Sequence, residues 1–158
     1  MPLYFAYGLL MNRGEMVKTC AGATFVGSAR LPRHRLFMMA EGPVSIVRDI
    51  HRDVYGIVWD VPFSDMASLE SFEHSASGSH IKILQPVIME GGAKRALVFV
   101  GRGLLAGKSK PGYISALLAT GRLIGLPNAY LQEIEHGEPP KRKPGTPLFK
   151  APVSSVRI

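Results

Sequence analysis

A single cysteine, Cys20, stands in 158 residues, so no disulfide can form within the chain. The reducing cytoplasm is the expected compartment. Long apolar runs are also missing. No stretch approaches the roughly 20 residues that a membrane-spanning helix needs, and the N-terminus has no basic segment followed by an apolar core. Neither a signal peptide nor a membrane partner is expected. The five histidines, His34, His51, His74, His80 and His136, include no i, i+4 pair and have no cysteine cluster beside them. That spacing argues against a zinc site, and no metal is expected. Acidic residues are scarce, with 12 Asp and Glu against 19 Lys and Arg, a formal charge of +7. The basic residues are scattered rather than drawn into a stripe with interleaved aromatics, so nucleic acid is not an expected partner.

What is present is a globular composition with many turn residues. Hydrophobic residues make up 46% of the chain, enough for one domain with a sizeable core, while 17 glycines and 12 prolines favour short elements and strands over a helical bundle. Residues 2–7 read as an aromatic-rich first strand that stops at Gly8, and 16–22 as a short helix closed by Gly22. Residues 25–39 suit a long bent strand or two short ones. Two further strands follow at 44–47 and 53–61, separated by polar, turn-like 49–52. Nearly every residue of Val54-Tyr55-Gly56-Ile57-Val58-Trp59 is apolar, which predicts burial on both faces.

The period then changes. Ser64 can cap a helix on which Met66, Leu69 and Glu73 share one face. Residues 80–90 and 94–101 read as a hairpin across Gly91-Gly92, and Pro111 and Pro127 each open a later helix. Residues 1–136 form one domain and 137–158 a tail rich in Pro and Lys. The expected fold is α+β, with six or seven mostly antiparallel strands and three or four helices.

Two near-motifs fail on spacing. Gly103-Leu104-Leu105-Ala106-Gly107-Lys108-Ser109 has three residues between its glycines where a phosphate-binding loop needs four. Ser77-Gly78-Ser79-His80 lacks the glycines of a nucleophile elbow. Two features carry more chemistry. At Tyr7-Gly8-Leu9-Leu10 a strand breaks at glycine, which can turn backbone N–H groups toward a carboxylate or an oxyanion. Glu73 sits on the apolar face of its helix, where burial raises a carboxyl pKa into the range useful for proton transfer. The alternative for Glu73 is a helix-end carboxylate that reaches solvent or bridges to an arginine.

These features, in order, resemble the gamma-glutamylcyclotransferase-like (AIG2-like) family. The resemblance rests on the strand and loop at 4–11, on Phe25-Val26-Gly27-Ser28-Ala29-Arg30-Leu31, on the strands at 44–47 and 54–59, and on Leu69-Glu70-Ser71-Phe72-Glu73. It implies a small mixed β-barrel flanked by short helices. It also implies a cofactor-independent transferase or lyase that cyclises a γ-glutamyl amine or peptide to 5-oxoproline and frees the amine. On this resemblance Glu73 is the catalytic acid/base, and Tyr7, Gly8, Leu9, Leu10 and His80 bind substrate. Leu9 and Leu10 stand where the family usually has serine and asparagine, and His80 near where it commonly has tyrosine. That pattern also fits a silent relative that binds a small anionic ligand or a partner protein. The oligomeric state is not legible.

Overall fold

The computed structural model describes residues 2–38, 44–77, 80–101 and 112–136. The glycine-rich near-motif after Gly101, Pro111, Gly78-Ser79 and the 137–158 tail lie outside them.

Five strands close into a barrel in the order β1-β3-β2-β4-β5: β1 (Leu3–Ala6), β2 (Thr24–Met38), β3 (Val44–Asp60), β4 (His80–Met89) and β5 (Gly92–Gly101). Pairing is antiparallel except where β1 meets β5, with Tyr4 opposite Leu97. Helices α1 (Arg13–Thr19), α2 (Met66–Ser77), α3 (Tyr113–Ile124) and α4 (Asn128–His136) flank it. The expected class, a small, mostly antiparallel barrel with short helices, is the observed one.

The strand count differs from expectation because β2 and β3 are long. Residues 44–47 and 53–61 are not two strands but parts of β3, which runs beside β2 from Thr24↔Asp60 to Met38↔Val44. The polar segment 49–52 is a bulge within it. Pairing steps from Pro32↔Asp53 to His34↔Arg48, so four residues of β3 face Arg33 alone, and Arg33 takes φ 65°. The Asp49 carboxylate accepts from the His51 N–H at 3.0 Å, the local turn that the polar composition suggested. The β4–β5 hairpin turns through Glu90-Gly91, one residue earlier than expected, with Met89 paired to Gly92.

Local chemistry accounts for the helices. Asn12 caps α1 by accepting from the Glu15 N–H at 3.1 Å, and Glu15 and Lys18 complement the helix dipole at its two ends. Ser64 does not cap α2. It lies inside a 3-10 turn, Phe63–Asp65, that Pro62 precedes without a side-chain cap. Leu69, fully buried, anchors α2 to the core, and Glu73 lies one helical turn further on. The segment 54–59 is buried apart from a half-exposed Tyr55, as expected for a strand covered on both faces.

Candidate active site

β1 ends at Ala6, and the chain passes through Tyr7 and Gly8 into a 3-10 turn, Leu9–Met11. Within it the Met11 and Asn12 N–H groups donate to the Gly8 and Leu9 carbonyls, at 3.1 and 3.0 Å. The N–H groups of Leu9 and Leu10 open the turn and have no partner inside it. The Trp59 indole N–H donates to the Leu10 carbonyl at 3.0 Å and fixes the loop to β3. Gly8 has φ −118°, so it does not serve here as a left-handed residue. Space is what requires it: a Cβ there would lie 3.1 Å from the Tyr113 hydroxyl.

Beside this loop is an open cleft of about 480 Å³, a volume that includes space continuous with solvent. Tyr7, Gly8, Leu9 and Leu10 form one wall, and Phe72 and Glu73 of α2 form another. Tyr4, Val44, Phe99, Gly101 and Tyr113 complete it from β1, β3, β5 and α3. Loop and carboxylate, 63 or more residues apart in sequence, therefore share one cavity. Leu10 is only 2% exposed and serves the core with its side chain. Leu9 is half-buried at the cleft.

Burial pushes the Glu73 carboxyl up to about 7, and a hydrogen bond donated by the Tyr4 hydroxyl to Oε2 opposes that rise. The Glu73 charge acts in return on Tyr4, Tyr7 and Tyr113, all raised above the ordinary phenol value, first by burial. These phenols stay protonated near neutrality and act as donors. The Tyr7 hydroxyl already donates to the Phe99 carbonyl, so Tyr7 shapes the wall more than it offers a free proton. Ser45, 2% exposed, accepts from the Gly101 N–H at 2.9 Å and ties β3 to β5 behind the cleft. Neighbouring Glu70 turns away to pair with Lys82 at the surface.

Four of the expected site residues of the loop and Glu73 thus meet. The β4 register sets His80 opposite Gly101, a lining residue, but the His80 side chain lies outside the described residues. Tyr4, Phe72, Val44, Phe99, Gly101 and Tyr113 were not singled out in the sequence. Tyr4 carried one usable signal, its place on the same aromatic strand as Tyr7. Among the described residues no group of three His, Cys, Asp or Glu side chains could hold a metal ion, and no helix is long and apolar enough to cross a membrane.

The raised Glu73 pKa has a consequence for stability. Between about 4.5 and about 7 the folded state keeps a proton that the unfolded state releases. This group therefore costs the fold nothing below the lower value, increasingly more through that window, and its full penalty above it. Glu73→Gln is expected to be more stable than the native chain by about 3 kcal/mol at pH 8 and indistinguishable from it near pH 4. Urea unfolding at the two pH values measures this. A variant less stable than native at pH 8 would contradict a desolvated carboxylate.

Comparison with known proteins places the fold. Among solved structures, one described as gamma-glutamyl cyclotransferase superposes with a TM-score of 0.78 at 22% identity, covering 89% of this chain and 90% of that one. A Homo sapiens protein described as uncharacterized gives 0.77 at 23% identity, with 89% and 90% covered. A yeast protein described as a gamma glutamyl cyclotransferase specific to glutathione gives 0.59 at 9% identity, with 87% and 96% covered. At these identities the likeness is one of fold. No curated protein matches the chain by sequence. The family described as gamma-glutamyl cyclotransferase, AIG2-like, matches residues 4–114, a span that starts within β1 and includes the loop and α2. The chain belongs to the gamma-glutamyl cyclotransferase, AIG2-like family.

Proposed function

We propose that the protein cyclises a γ-glutamyl amine or peptide to 5-oxoproline and releases the amine. The observation that carries this reading is the half-buried Glu73, its carboxyl pushed up to about 7 by desolvation, in one cleft with the Gly8–Leu10 backbone. The α-amine nitrogen of the substrate bonds to its own γ-carbonyl carbon, and the bond from that carbon to the leaving nitrogen breaks. The attacking nitrogen loses a proton and the leaving nitrogen gains one, so a single carboxylate that accepts and then returns a proton completes the cycle. The N–H groups of Leu9 and Leu10 serve the developing oxyanion or the substrate α-carboxylate. Folding the substrate back on itself supplies the proximity that an intramolecular attack needs. No step calls for a cofactor.

Incubation with a panel of γ-glutamyl amines and γ-glutamyl dipeptides is expected to release 5-oxoproline and free amine in equal amounts, measured by liquid chromatography. A folded protein that yields no 5-oxoproline from any of them would overturn the reading. One observation favours a second reading: Leu9 brings an apolar side chain to the cleft where the family usually has a polar one. On that reading the chain is a silent relative that binds a small carboxylate, and the same panel would raise the melting temperature without product.

A further inference from the structure

The proton-transfer reading uses Glu73 but leaves open what aims it. Glu73 stands on a 12-residue helix, α2, and a glutamate has three rotatable bonds to restrain. Tyr4 reaches it from β1, 69 residues earlier in the chain, and donates its hydroxyl to Oε2. Tyr4 is itself held firmly. It is 3% exposed, pairs in register with Trp59 on one side and Leu97 on the other, and packs edge-on to Phe99 at 5.8 Å between ring centroids. A side chain on the barrel wall thus anchors one on a peripheral helix.

We propose that Tyr4 is a positioning residue: its phenol, fixed by β1 and Phe99, holds the Glu73 carboxylate in its orientation at the cleft and favours the ionised form that can accept a proton. This rests on the proposed cyclisation for its catalytic meaning, although the coupling between the two side chains does not. A donor that is always protonated suits the task, because burial and the Glu73 charge both keep the Tyr4 phenol from ionising. Among the described residues, the other ionisable side chains that line the cleft with Glu73 are the phenols of Tyr7, just past β1, and Tyr113, on α3. The Tyr7 hydroxyl is engaged with the Phe99 carbonyl and the Tyr113 hydroxyl with the Val44 backbone. β3 and β5 line the cleft with Val44, Phe99 and Gly101, none of which ionises. Tyr4 is therefore the phenol whose removal acts most directly on the Glu73 carboxyl.

The test compares native protein, Tyr4→Phe and protein with 3-fluorotyrosine at position 4, each labelled with ¹³C-carboxyl glutamate. The Glu73 resonance is identified by its loss in Glu73→Gln. Its titration midpoint is expected to rise by about one pH unit in Tyr4→Phe, and to fall with fluorotyrosine, a stronger donor. With a γ-glutamyl amine as substrate, the acid limb of kcat in Tyr4→Phe moves up by the same amount. At pH 7, where half of the native Glu73 is ionised, kcat then drops about fivefold, with KM much less affected. Merely structural damage would lower kcat at every pH and leave the midpoint in place. An unmoved midpoint in folded Tyr4→Phe or in the fluorotyrosine protein overturns the proposal. A midpoint that moves in protein releasing no 5-oxoproline overturns the cyclisation reading instead and leaves the Tyr4–Glu73 coupling standing.

Discussion

Glu73→Gln is expected to reduce kcat for γ-glutamyl cyclisation by about 10³-fold, within the range that a positioned acid/base contributes. Glutamine keeps the length and shape of the side chain and can still accept from the Tyr4 hydroxyl through its amide oxygen. What it lacks is a site for the proton that the attacking amine gives up and the leaving nitrogen needs. KM should change little, because the contacts proposed between substrate and the Leu9 and Leu10 N–H groups do not involve the Glu73 carboxyl. Glu73→Asp retains the acid but withdraws it by one methylene, and a displacement of that size is expected to cost about 10²-fold. A glutamine variant that keeps a tenth of native turnover would move the proton path to another group. Because the same substitution is expected to stabilise the fold at pH 8, lost activity cannot be put down to lost structure.

On the proposed cyclisation, the pH dependence of turnover follows from the same group. Glu73 must be ionised to accept a proton, so turnover should fall as pH drops through about 7 and flatten above it. That direction is opposite to its effect on stability. The site is ready for chemistry under the conditions where it burdens the fold, as expected of a carboxylate placed on an apolar face.

Some of this was legible from local pattern and some was not. Glu73 could be found because helical spacing put it in line with Met66 and Leu69, and an acid on an apolar stripe conflicts with its surroundings. The loop could be found because a strand ended at Gly8. The barrel's strand count could not. The polar run at 49–52 reads as a turn in any short window, and only the pairing of β3 with β2 on both sides of it makes it a bulge. The same limit hid Val44, Phe99 and Tyr113. They reach the cleft through barrel closure, and the parallel β1–β5 contact that brings Phe99 beside Tyr4 leaves no periodic trace in the sequence. Gly8 was legible as a break but not for its reason, which is the nearness of a hydroxyl from α3.

The largest effect on the fold is expected from Gly56→Ala. Gly56 lies on β3 where β1 crosses it, and an added Cβ would sit 2.2 Å from the Ala6 carbonyl oxygen and 3.0 Å from the Phe5 ring. The nearest of these atoms is backbone, so no rotamer change relieves the clash. β1 is hemmed in on both edges, by β3 in antiparallel register and by β5 in parallel, and cannot slide aside alone. The strands must separate where Ala6 pairs with Ile57, which breaks ladder hydrogen bonds and opens the core around Phe5, a fully buried residue. A loss of about 3–5 kcal/mol is expected, a large part of the stability of a domain this size. Gly91→Ala, in the β4–β5 turn with nothing within 4 Å of its added Cβ, is the matched control and should stay within about 0.5 kcal/mol of native. Urea midpoints of the two variants measure the contrast. Residual folded Gly56→Ala should also lose activity, because Ala6 leads directly into Tyr7 and Gly8 and any shift of β1 carries Tyr4 away from Glu73. A Gly56→Ala protein as stable as the Gly91→Ala control would mean that β1 and β3 do not approach each other this closely, and the barrel closure that assembles the cleft would have to be redrawn.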